Sequence, residues 1–149
     1  MSRKRIIVVD IDGTIAQPGE RLKYLQQEPK NWDAFYADCF DDTPIQANVD
    51  LVKYLGRRYD IIYCTGRRES ARIKTLNWFD KYGLPYVNSN LLMRADGDKR
   101  HDTITKPEML RRAGVNKNHV AFIMEDRNSM VQEWRRLGFN VFQVAEGDF

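Results

Sequence analysis

The sequence predicts an α/β fold: a Rossmann-like three-layer sandwich with a central, mainly parallel five-stranded sheet and a small helical insertion after strand 1. Short apolar, β-rich runs alternate with longer segments whose apolar residues recur every three or four positions, as strands and their covering helices do. Gly83, Gly114 and Gly138 follow three of those helical segments, where a left-handed residue closes a helix.

Taken in order, the strands are expected at Ile6 to Asp10, Asp60 to Cys64, Pro85 to Asn88, Val120 to Met124 and Asn140 to Val144. The helices fit at Asp50 to Arg58, Glu69 to Tyr82, Lys106 to Ala113 and Arg127 to Leu137. Between strand 1 and the first of these helices lies a polar and aromatic insertion at about 17–44, with a helix expected around Trp32 to Cys39. A loop of that length in a compact domain carries structure or function of its own. At 149 residues the chain is expected to be one domain, 1–149, with this insertion as a small cap.

Composition narrows the function classes. With 42% hydrophobic and 30% charged residues the chain reads as globular, and no apolar run approaches the ~20 residues of a membrane span. IIVV after the basic SRKR is too short for a secretory signal and is interrupted by Asp10, so a cytoplasmic protein with no membrane partner is expected. Cys39 and Cys64, without CxxC or Cys/His clustering, are expected to be reduced core thiols. The net charge of +3 permits a polyanionic partner without demanding one, and the arginine pairs at 57/58, 67/68, 111/112 and 135/136 are expected mostly on solvated faces.

In open parallel sheets ligands bind beyond the carboxyl ends of the strands. Those are the positions of DIDGT after strand 1, TGRR after strand 2 and EDR after strand 4. Residues i and i+2 of an extended chain face the same side, so Asp10 and Asp12 can address one ligand. Two carboxylates that close need a shared cation or proton, and Glu125 and Asp126 add oxygen ligands suited to Mg²⁺. Thr65 and Gly66, at an expected strand-to-helix turn, offer a hydroxyl and free N–H groups of the kind that hold a phosphate, and Lys106, near an expected helix start, a point charge. Phosphoryl transfer fits these parts. A carboxylate attacking a phosphate dianion meets about 8 kcal/mol of repulsion at 4 Å and an effective dielectric of 20, roughly six decades in rate. A metal and a lysine are therefore required. Asp10 is expected to attack phosphorus, and Asp12 to protonate the leaving oxygen and then activate water.

The set DIDGT, TGR, Lys106 and EDR resembles, in order and spacing, the four motifs of the haloacid dehalogenase superfamily of phosphotransferases. WRRLGFNVFQVAEGDF, RADGDKRHD, TGRRES and Arg21 further resemble the phosphatase half of the phage-type polynucleotide kinase/phosphatase. The resemblance implies a haloacid dehalogenase-like fold and Mg²⁺-dependent removal of 3′-phosphates from DNA or RNA ends. By resemblance Asp10 is nucleophile, Asp12 general acid/base, Arg21 and Arg67 phosphate contacts, Lys106 a charge stabiliser and Asp102 a supporting residue on the substrate side. Asp10, Asp12 and Asp126 are the implied metal ligands. The fourth motif often reads as two aspartates, and the longer arm of Glu125 leaves its part in metal binding open. The resemblance also allows a homo-oligomer and a separate kinase or ligase partner, in the host cytoplasm if a phage encodes the chain. No GxxxxGK[ST] occurs, so a free-standing phosphatase is expected.

Blander readings compete. DG could close a hairpin; an EF-hand starting at Asp10 is excluded by Arg21 at its twelfth position, where a glutamate is needed. His101 and His119 are not spaced for a metal, and Trp32, Phe35, Tyr36 and Phe40 at helical spacing are expected in the core ahead of a base-stacking platform. The competing functions are a small-molecule phosphatase or nucleotidase, and a non-catalytic module binding nucleic-acid ends.

Overall fold

A computed structural model describes residues 5–149; the basic residues 2–4 of SRKR lie outside the described residues. Five parallel strands form the central sheet: β1 (Ile6–Val9), β4 (Asp60–Arg68), β5 (Leu91–Arg94), β6 (Val120–Glu125) and β7 (Val141–Gln143), in the order β5-β4-β1-β6-β7. Two further strands, β2 (Ala16–Gln17) and β3 (Thr43–Pro44), pair antiparallel in a short ribbon. Alternation along β1 explains the layering. Ile7 and Val9 face α3 (Gln46–Leu55) and α4 (Arg72–Tyr82), burying Val49, Val52, Trp78 and Phe79. Val8 faces α5 (Asp102–Arg112) and α6 (Asn128–Arg136), burying Leu110, Met130, Val131 and Trp134. A sheet covered on both faces selects the near-continuous apolar strands seen in the sequence.

The insertion is closed at its neck by the β2–β3 ribbon and holds two short helices, α1 (Lys23–Gln26) and α2 (Trp32–Ala37). Asn31 caps α2, its side-chain oxygen accepting from the Ala34 N–H at 3.1 Å. Gly83, Gly114 and Gly138 do adopt positive φ at the ends of their helices. Cys39 and Cys64 are buried and unpaired. Among the described residues no helix is long and apolar enough to cross a membrane.

Four expectations need correction, the first for α3, which spans Gln46–Leu55 and not Asp50 to Arg58. The third sheet strand is Leu91–Arg94, not Pro85 to Asn88: Val87 is exposed and the chain from 85 to 90 runs along the rim before Leu91 and Met93 enter the core. α5 begins a turn earlier than Lys106, with the His101 ring nitrogen accepting from the Thr103 N–H, so Lys106 lies inside the helix. β4 runs on through Thr65 and Gly66 to Arg68, with its pairing to β5 shifting between Thr65 and Arg68, so TGR is an irregular strand end and not a turn.

Candidate active site

The register gathers the site. Val9 lies opposite Tyr63 on β4 and Met124 on β6, and the Asp10 N–H donates to the Met124 carbonyl at 3.0 Å. The next residues of each strand therefore meet at one edge. Carboxylate oxygens of Asp10, Glu125 and Asp126 lie within 4.8 Å of one another, and all three residues are buried. The loop from Asp10 presses on this cluster at Gly13, which has φ of 83° and whose absent Cβ would fall 2.1 Å from Asp126 Oδ2. Only glycine fits there. Thr14, fully buried, donates its hydroxyl hydrogen to Asp10 Oδ2 at 2.9 Å, with Asp126 Oδ1 at 3.3 Å.

Lys106 is the sole ammonium in contact with the cluster among the described residues, its Nζ donating to Asp10 Oδ1 at 2.8 Å and Glu125 Oε2 at 3.0 Å. Burial opposes its charge, yet Asp10, Glu125 and Asp102 hold its pKa well above the lysine value. Glu125 is pushed well upward by burial and then by Asp10; the same causes push Asp126 up to about 7. Three carboxylates against one ammonium leave two negative charges uncompensated. An all-oxygen donor set with that deficit fits a hard divalent cation such as Mg²⁺.

The carboxylate of Asp12, expected with Asp10 and Asp126 as a metal ligand, lies outside this triad, drawn away by two arginines. It accepts from Arg21 Nη2 at 2.5 Å and from Arg67 Nη2 and Nε at 2.8 and 3.1 Å. Burial alone would raise its pKa, but Arg67 and Arg21 carry it down to about 2. Both guanidiniums are buried, so Arg67 stands apart from the solvated faces expected of most of the arginine pairs. Asp42 holds them from behind: its carboxylate accepts from Arg21 Nε and Nη2, each at 2.7 Å, and from Arg67 Nη2 at 2.9 Å. Asp42 is itself anchored, its carbonyl accepting from Trp78 Nε1 at 2.9 Å. The Thr65 hydroxyl accepts from the Arg67 N–H at 3.0 Å, and Arg67 Nη1 donates to Thr75 Oγ1 at 3.0 Å.

Asp102 opens α5 beside Gly66, where a Cβ would lie 2.7 Å from its Oδ1. Arg94 and Arg127 pair with its carboxylate. Despite burial, Lys106, Arg94 and Arg127 keep its pKa below the aspartate value. Arg94 also donates to the Gly66 carbonyl at 3.1 Å, bracing the strand end.

The structure thus brings Asp10, Asp12, Arg21, Thr65, Gly66, Arg67, Asp102, Lys106, Glu125 and Asp126 to one edge of the sheet. Sequence reasoning missed Asp42, Arg94 and Thr14. Thr14 stands inside the DIDGT motif and was within reach. The aromatic expectation is half corrected: Phe35 is core, while Trp32 and Phe40 are exposed.

Residues 4–149 match the family model described as the polynucleotide kinase PNKP phosphatase domain. The chain belongs to that family. This PNKP phosphatase domain is a phosphatase of haloacid dehalogenase fold, with a buried acidic cluster able to hold a metal. It is 29% identical over 144 residues to a protein of Autographa californica nuclear polyhedrosis virus named as a bifunctional polynucleotide kinase/RNA ligase, covering 95% of this chain and 19% of that one. It superposes on a chain of the Pnkp1/Rnl/Hen1 complex with a TM-score of 0.85 and 30% identity, covering 99% of this chain and 48% of that one. A second structure of that assembly, described as an RNA repair complex, gives 0.83 and 30%, covering 98% of this chain and 44% of that one. A class C acid phosphatase from Bacillus anthracis shares the fold, with a TM-score of 0.64 and 18% identity over 95% of this chain and 68% of that one. This domain therefore spans less than half the length of its polynucleotide kinase relatives.

Proposed function

We propose that the domain hydrolyses 3′-phosphate ends of DNA or RNA, with Mg²⁺, through a phosphoaspartate on Asp10. The observation that carries the chemistry is the environment of Asp10, a carboxylate fixed by Thr14 and Lys106 inside a cluster short of two positive charges. Asp10, Glu125 and Asp126 would hold the ion, which when bound neutralises charge on the transferring phosphoryl group. Lys106 does the same from the protein side.

Asp10 attacks phosphorus, forming an aspartyl P–O bond as the bond to the 3′-oxygen breaks. The departing oxygen takes a proton from Asp12, which afterwards removes one from the water that attacks the phosphoaspartate. Free phosphate leaves and both carboxyl groups are restored. Asp12 is ionised while Arg21 and Arg67 hold it, so it needs a change of partners to act as an acid. An entering phosphate offers both guanidiniums new oxygens and frees Asp12 to take up a proton. Thr65 and Gly66 border the phosphate position, and Asp102 steadies that edge through Arg94.

Family membership supports a polynucleotide end as substrate, and the insertion, limited to two short helices, leaves room for a strand end. By analogy with the Pnkp1/Rnl/Hen1 assembly, an end-sealing partner and contacts between subunits are part of the same proposal. The test is a comparison of kcat/KM on a 3′-phosphorylated oligonucleotide, its 5′-phosphorylated counterpart and mononucleotides, each with Mg²⁺. The 3′-phosphorylated strand should lead. Equal or greater activity on mononucleotides would make this a nucleotidase, and Mg²⁺-independent end binding with no phosphate released would make it a binding module.

A further inference from the structure

One wall of the site is aromatic. Trp32 and Tyr36, one turn apart on α2, stack with ring centroids 5.9 Å apart and planes 24° from parallel. The helix that carries them is fixed to the catalytic edge by Phe35 between them. Its carbonyl accepts from Arg21 Nη1 at 3.2 Å, and the Arg21 guanidinium lies 4.1 Å over its ring. From the other side Arg68, next to Arg67 in the chain, lies 5.7 Å over the Tyr36 ring and pairs with Asp33. Asp12 and Asp102 are close enough that, after burial, their charges help push the Tyr36 hydroxyl up to about 12. Tyr36, covered by Arg68 and next in the chain to the Phe35 that Arg21 holds, therefore stands beside the arginines of the site, and its hydroxyl stays neutral.

Trp32 forms the more exposed end of the stack. It is 39% exposed although it packs edge-on against Phe35 at 5.8 Å, a large apolar surface left open beside a polar site. A phosphate at Asp10 carries its nucleoside one sugar's length outward. This pair is an exposed ring system tied to the arginines of the site, and every nucleobase has a π-face to lay on it.

We propose that Trp32, backed by Tyr36, is the platform on which the base of the phosphorylated terminal nucleotide stacks. The proposal rests on the polynucleotide phosphatase reading and adds the part of the substrate, beyond the phosphate, that the insertion recognises. Recognition of this kind is tolerant of base identity. It also gives the insertion a purpose: α2 joins the arginine that faces the phosphate to the ring that faces the base.

The experiment is a cycle of protein and substrate changes. kcat/KM is measured with Mg²⁺ on a 3′-phosphorylated oligonucleotide and on the same strand ending in an abasic nucleotide, for the native protein, Trp32→Ala and Trp32→Phe. The ratio of the two substrates should be about tenfold in the native protein, fall towards one in Trp32→Ala, and persist in Trp32→Phe. A native ratio near one, or the same ratio in Trp32→Ala, would overturn the platform. Because each ratio is taken within one variant, a general loss of folded protein cancels. Failure of the underlying reading looks different: neither oligonucleotide is hydrolysed while small phosphomonoesters are. In that event the ratio of a nucleoside 3′-monophosphate to ribose 3-phosphate tests the platform alone, with the same expected collapse in Trp32→Ala and the same refutation if it does not occur.

Discussion

The two halves of the site hold their acids in opposite ways. On one side Asp12 and Asp42 face Arg21 and Arg67, two negative charges against two positive, with every guanidinium contact between 2.5 and 3.1 Å. On the other, Lys106 is the one cation that the carboxylates of Asp10, Glu125 and Asp126 share among the described residues. The first half is complete within the protein and its central carboxylate titrates at about 2; the second is short of charge, and without a cation protons fill the gap, as the upward shifts of Glu125 and Asp126 record. The difference teaches where the protein has spent structure and where it has left a place for an ion.

Substitutions should therefore act differently on the two sides. The largest effect is expected from Asp10→Asn. The amide keeps one oxygen, for Lys106, and turns its NH2 towards the Thr14 hydroxyl, which can accept; it is no nucleophile, so kcat on a 3′-phosphorylated oligonucleotide should fall by at least about 10⁴-fold. Removing one of three crowded carboxylates should leave the melting temperature of the metal-free protein unchanged or higher. Turnover within tenfold of the native rate would remove Asp10 as nucleophile. Asp42→Ala should do the reverse in kind: it strips a buried partner from two buried arginines, costing about 3–5 kcal/mol of stability, or roughly 10 °C in Tm. A variant that melts with the native protein would mean that Asp12 alone compensates both guanidiniums, and the contrast between the halves would fail.

How legible each half was follows from where its residues stand along the chain. Asp10, Asp12, Thr65, Gly66, Arg67, Glu125 and Asp126 come directly at or after strand ends, and topology sends strand ends of a parallel sheet to one edge. Lys106 stood near an expected helix start as the charge that phosphoryl transfer requires, and Asp102 and Arg21 were reached through resemblance. Asp42 had no such cue: it is one of two adjacent aspartates in an irregular, polar insertion, and what marks it is the pair of arginines that only folding brings to it. The misplaced strand has an equally local cause. Tyr86 and Val87 carry β-forming side chains, but Gly83 closes α4 with Leu84 N–H donating to the Phe79 carbonyl, and the rim must be crossed before Leu91 can pair beside Tyr63. Propensity named the residue types, and the length of the crossing decided which of them entered the sheet.

The smallest effect expected, and the one that separates the halves most cleanly, is the dependence of Mg²⁺ stabilisation on pH. Asp126 has its folded pKa raised from 3.8 to about 7, and Glu125 is raised in the same sense. In the unfolded chain these groups ionise near their ordinary values, so Asp126 costs the metal-free fold stability as pH rises from 3.8 towards about 7, with a constant penalty above that, and Glu125 adds a loss of the same sign. An ion that binds the ionised carboxylates removes the penalty, but below pH 7 it must displace protons to do so. The rise in Tm on adding Mg²⁺ should therefore be small at pH 5 and larger at pH 8, where it corresponds to about 1–3 kcal/mol of stabilisation when Mg²⁺ is ten to a hundred times its Kd. Asp12, at about 2, is ionised throughout and contributes nothing to this window. Asp10→Asn should shrink the gain at pH 8, and Asp42→Ala should lower both melting curves without changing their separation. Equal gains at the two pH values would put the ion somewhere other than the carboxylates that protons occupy in its absence.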